Sequence, residues 1–69
     1  MKLSTRNQLA GTVNAITYGE AMAVVKVTLE GGQQVTSSIT REAADDLGLA
    51  AGTPVTVLVK STEVTLAVD

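Results

Sequence analysis

Sixty-nine residues with no cysteine, no histidine and a net charge of −2 confine this chain to one small domain without disulfides, thiolate zinc sites or imidazole metal ligands. A chain this short buries only roughly 60% of the surface its unfolded form exposes, so association with further copies is the stabilising device left to it. Hydrophobic residues make up 45% of the sequence, yet it holds no Phe, no Trp and a single Tyr, so its apolar mass is Val, Ala, Leu and Ile, side chains suited to strand packing and to subunit seams.

Leu9 to Tyr18 reads as a first strand whose apolar phase slips. Leu9, Val13 and Ala15 share one parity and Ile16 and Tyr18 take the other, which predicts a bulge or bend near Asn14. Tyr18-Gly19-Glu20 marks the turn that follows. In the second strand Val25, Val27 and Leu29 alternate with Lys26, Thr28 and Glu30. Gly31-Gly32 predicts a tight hairpin into a weaker third strand carrying Val35, Ser37 and Ile39. Thr40 is placed to cap a short helix from about Arg41 to Leu47, with Glu42 in its first turn and Gly48 as its stop. Leu47 and Leu49 are expected to plug one end of the sheet.

Ala51-Gly52-Thr53-Pro54 leads into a fourth strand, where Val55, Val57 and Val59 alternate with Thr56, Leu58 and Lys60. Ser61-Thr62-Glu63 joins it to a fifth, in which Val64, Leu66 and Val68 alternate with Glu63, Thr65 and Ala67. The order predicts an all-β protein, a five-stranded OB-like barrel with one short helix between strands three and four, over residues 1–69 as a single domain.

The same residues exclude several classes of function. Nucleic-acid affinity comes mainly from many Lys and Arg on phosphates and from bases stacked on aromatic side chains; five cations against seven carboxylates and one Tyr supply neither. No stretch reaches the roughly 18 apolar residues of a membrane span. The opening Met1 to Gln8 turns polar at once and lacks the apolar centre of a signal peptide, so the chain is expected in the cytoplasm. Nucleophilic catalysis has no histidine base and no GxSxG elbow, and Lys60 and Ser61, adjacent on a strand, would point to opposite faces. Glu42, Asp45 and Asp46 are the one carboxylate cluster, and without further oxygen ligands they read as a solvated helix face rather than a cation site.

What remains is a set of small polar residues beside cations: Ser4, Arg6 and Asn7 before the first strand, Thr36, Ser37 and Ser38 in the third, and Lys60, Ser61 and Thr62 at the end of the fourth. Hydroxyls, amides and backbone N–H groups with a Lys or Arg suit a tetrahedral dianion, and they equally suit plain solvation of strands and caps. On the residues alone both readings stand.

Ser4-Thr5-Arg6-Asn7-Gln8-Leu9 resembles the opening of the molbindins, the small Mop family of molybdate-binding proteins related to TOBE domains. The resemblance continues through Gly11-Thr12-Val13, Gly31-Gly32, Thr36-Ser37-Ser38-Ile39, Asp46-Leu47-Gly48-Leu49 and Val59-Lys60-Ser61-Thr62, and so covers essentially the whole chain. One departure is Thr5, where the family usually has Ala.

The resemblance implies a non-catalytic OB-like subunit in a homo-oligomer, a hexamer, holding molybdate or tungstate between subunits for storage or homeostasis, with no free metal cation, nucleic acid or membrane as partner. It implies Ser4, Arg6, Lys60 and Ser61 as the principal oxyanion contacts. Thr36 and Ser38 would contribute from a neighbouring subunit, with Asn7 and the turn at Gly19, Glu20 and Ala21 as further approaches to the anion. Glu20 would act there through its backbone, since its carboxylate repels a dianion. A nucleic-acid-binding OB module and an oxyanion-sensing regulatory subunit are the alternatives.

Overall fold

A computed structural model describes residues 2–69. Four strands, β1 (Asn7–Tyr18), β2 (Met22–Leu29), β3 (Gln34–Thr40) and β4 (Pro54–Val59), form one antiparallel sheet in the order β3-β2-β1-β4. A single helix, α1 (Arg41–Asp46), follows β3. Strand β1 is shared. Its first half, Asn7 to Thr12, pairs with β4, and its second half, Gly11 to Tyr18, pairs with β2. The sheet curls around this strand into a half-barrel.

The bulge falls where the parity slip places it. The β1–β2 register jumps from Val13↔Val27 to Ala15↔Lys26, leaving Asn14 as the extra residue. One inserted residue inverts the faces beyond it, so Val13 and Ile16 both turn to the core and Ala15 turns outward with Lys26. The core is small and strand-built: Val13, Val25 and Val27 are buried, with Ile16, Leu29, Ile39, Leu49, Val55 and Val57 packed against them.

Gly11 stands where β1 passes closest to β2. A Cβ there would lie 2.9 Å from the carbonyl oxygen of Thr28 and 2.7 Å from Val27 Cγ1, atoms of the paired strand and of a β-branched core residue that have little freedom to move. Gly11→Ala is therefore expected to destabilise the fold by about 1–3 kcal/mol, the usual cost of overpacking, read as a lower midpoint in chemical denaturation.

The helix starts as its cap residue dictates: Thr40 Oγ1 accepts from the Ala43 N–H at 3.1 Å. It ends at Leu47, and Gly48 follows with φ +63°, the left-handed geometry glycine permits. Leu49 packs on the core as expected. Leu47, expected to plug the sheet, borders the groove beside Val13, Val25 and Leu49 but leaves 67% of its surface exposed, so it does not fill it.

The expected fifth strand is not formed within the chain. Ser61–Glu63 make a 3-10 turn, and beyond it no residue joins the sheet. The fold is a four-stranded, curled half-barrel rather than a closed five-stranded one. Alternation of Val64, Leu66 and Val68 shows that one side of the segment is meant for burial, but it does not say against what. In the single chain Val64 is partly covered, at 46% exposure, while Leu66 and Val68 are almost fully exposed, at 92% and 98%. Both outer strands, β3 and β4, are left with one free edge.

Candidate oxyanion site

The pairing of β1 with β4 decides which candidates meet. The last ladder pair is Asn7↔Val59, so Arg6, just before β1, and Lys60, just after β4, leave the sheet at the same end. Like charges gathered at one end of a sheet repel unless an anion lies with them. Arg6, Lys60, Ser4 and Ser61 are all exposed, so their donors are open to a ligand.

Neutral hydrogen bonds hold the frame around these cations. The Asn7 side-chain amide donates from Nδ2 to the Val59 carbonyl at 3.0 Å, and Gln8 Nε2 donates to the Thr5 carbonyl at 3.0 Å. After β4, Lys60 remains extended (φ −63°, ψ 134°), and its carbonyl accepts from the Glu63 N–H at 2.8 Å. That turn presents Ser61 immediately after Lys60.

The other candidates lie elsewhere. Gly19, Glu20 and Ala21 form the β1–β2 turn, at the opposite end of β1 from Arg6. Thr36 faces Lys26, which faces Ala15; Ser38 faces Val24, which faces Thr17. Both hydroxyls therefore sit on the free edge strand, beside the half of β1 beyond the bulge. Register places Arg6, Asn7, Lys60 and Ser61 at one end of the β1–β4 ladder, with Ser4 just before them in the chain, and places Gly19, Glu20, Ala21, Thr36 and Ser38 away from that end. An anion touching both groups would have to lie between copies.

The two ends also differ in charge. Arg41 holds the β1–β2 turn with three contacts: Nη1 donates to the Gly19 carbonyl at 3.1 Å, its backbone N–H donates to the Ala21 carbonyl at 2.8 Å, and its guanidinium lies 5.1 Å from the Tyr18 ring centroid. Around it, Glu20, Glu42, Asp45 and Asp46 line an open cleft. The side chains of that end are mostly acidic, so its backbone N–H groups rather than its side chains suit a dianion, whereas the other end carries the exposed cations Arg6 and Lys60.

One contact was not singled out from sequence. Lys26 Nζ donates to Thr36 Oγ1 at 2.8 Å, so the Thr36 hydroxyl already has a cationic neighbour in its own chain. Alternation marks Lys26 as outward-facing, but only the strand register reveals its partner. Among the described residues no cluster of three or more Asp and Glu is arranged to hold a metal ion, and no helix is long and apolar enough to cross a membrane.

The family model for the TOBE domain matches residues 3–66. The chain belongs to the TOBE domain family. This TOBE chain is 44% identical over 64 residues to molybdenum-pterin-binding protein 3 of Clostridium pasteurianum, an alignment covering 93% of it and 94% of that relative. Among solved structures it superposes on a molybdate-binding protein from Sporomusa ovata with a TM-score of 0.92 at 39% identity, covering 97% of this chain and 98% of that one. It superposes on the cytoplasmic molybdate-binding protein ModG, with molybdate bound, with a TM-score of 0.95 at 40% identity. That match covers all of this TOBE chain and 49% of ModG. These relatives are named as binding proteins and not as enzymes.

Proposed function

We propose that this TOBE chain binds molybdate, or the isosteric tungstate, without catalysing a reaction, and holds it between copies of a cytoplasmic homo-oligomer that stores and buffers the anion. The observation that carries this reading is the β1–β4 register, which ends at Asn7↔Val59 and so leaves the exposed Arg6 and Lys60 at one end of the ladder, with Ser4 and Ser61 close to them in the chain. Charge-assisted donors are the strong ones for a dianion.

Assembly follows from three further features. The buried core is small, the apolar residues Leu66 and Val68 are uncovered, and the remaining candidates Gly19, Glu20, Ala21, Thr36 and Ser38 reach a shared anion only from another copy. The proposed assembly is a hexamer. It carries a strongly negative overall field, but screening over a Debye length of about 8 Å at physiological salt leaves local donors in a part-buried seam in control.

Native mass spectrometry with and without molybdate reads oligomer size and bound anions together. Molybdate at a hundred times its Kd is expected to stabilise the folded form by about 2.7 kcal/mol per site and to raise Tm, while single-stranded DNA at low salt does not. A stable folded monomer, or DNA binding with a steep salt dependence and no response to molybdate, would overturn the reading.

A further inference from the structure

Asn7 belongs to the cluster around Arg6 and Lys60, and its residue type suits an anion contact. Its geometry points to a different task. Its amide nitrogen donates to the Val59 carbonyl at 3.0 Å, a part-buried bond between residues 52 positions apart. Val59 is the last residue of β4, and Lys60 is next. Where a ladder runs out, the terminal strand residues have lost the regular bonds that hold the interior, and they fray.

We infer that Asn7 is a positioning residue for the oxyanion site: it pins the end of β4 to the start of β1 and thereby fixes the direction in which Lys60 and Ser61 leave the sheet. This rests on the reading that Lys60 holds the anion.

Three observations support the assignment. Asn7 is half-buried, whereas Ser4, Arg6, Lys60 and Ser61 are exposed, so it lies beneath the charged layer rather than in it. It takes the same parity as Leu9 and Val13, paired through Val59, Val57 and Val27 on the core side of the sheet. Its hydrogen bond goes to the strand that leads into Lys60. The chain continues at once into a turn closed by the Glu63 N–H on the Lys60 carbonyl at 2.8 Å. A carbonyl held at Val59 therefore sets the starting point of the whole Lys60–Glu63 turn.

The consequence is coupling. A direct contact contributes to affinity whether or not Lys60 is present; a residue acting through Lys60 contributes only while Lys60 is there to be positioned. Asn7→Ala is expected to weaken molybdate binding by about 5- to 10-fold, the usual scale of one lost hydrogen bond. In a Lys60→Met background the same substitution is expected to change affinity by less than about 2-fold. Hydrogen exchange on the anion-free protein gives a second readout. The Glu63 amide should lose protection in Asn7→Ala, while the Val13 amide, bonded to the Thr53 carbonyl at 2.9 Å, should not.

Calorimetric titration of molybdate into the four proteins of the cycle, as assembled oligomers, decides the matter. If Asn7→Ala fails to assemble, Asn7→Ser takes its place in the same cycle. Equal losses with and without Lys60 make Asn7 a direct contact and overturn the inference alone, as does unchanged affinity. Failure of the unsubstituted protein to bind molybdate overturns the functional reading, and this inference with it.

Discussion

Replacing Lys60 by Met should weaken molybdate binding by about one to two decades, the scale of a hydrogen bond lost from a charged group. The fold should survive the change. Lys60 is exposed one residue past the end of β4, and the core face of that strand is carried by Val55, Val57 and Val59. Met keeps the length and apolar stem of Lys and removes only the ammonium. What is lost is a cation that leaves the sheet at the same end of the β1–β4 ladder as Arg6. Titration calorimetry measures the affinity, with circular dichroism of the anion-free protein as the folding control. An unchanged affinity in a folded oligomer would remove Lys60 from the site and with it the main support for oxyanion binding.

The second large effect is expected at the end of the chain. Leu66→Asp combined with Val68→Asp should break the oligomer into smaller species at micromolar concentration. Leu66 is 92% exposed and Val68 98% exposed, so within one chain neither change touches a packed contact. If a second copy covers them, each contributes about 1.5–3 kcal/mol by leaving water. A carboxylate in the same seam has to be desolvated as well, which adds to the loss. Sedimentation velocity reads the outcome, and molybdate binding should fall with it if the proposed site lies between copies. An assembly of unchanged size would show that the seam lies elsewhere.

Much of this architecture was legible in the residues because burial has a period. The slip of parity between Val13 and Ile16 located the bulge at Asn14, and Thr40 and Gly48 bracketed the helix through their capping chemistry. The same reasoning misassigned the segment of Val64, Leu66 and Val68 for a physical reason: alternation reports that a face will be buried, and it is silent on whether the covering surface belongs to the same molecule.

The site divides in the same way. Ser4, Arg6, Lys60 and Ser61 stood out by residue type and family resemblance. That Arg6 and Lys60 leave the same end of the sheet, and that Gly19 to Ala21 lie at the other end of β1, depends on register and strand order, which are long-range properties. Two partnerships were invisible for that reason: Lys26 with Thr36, and Asn7 with Val59.

The division of β1 between two partners also sets an order of events in time. Strands β1, β2 and β3 are successive hairpins and close over short loops, whereas the Asn7–Val59 contact spans 52 positions. Long closures are entropically costly, so the three-strand meander is expected to form first and β4 to dock last. Only that step brings Arg6 and Lys60 to one end of the sheet. On the proposed function, a nascent or partly opened chain offers no complete anion site, and bound molybdate is expected to hold β4 docked once folding is finished.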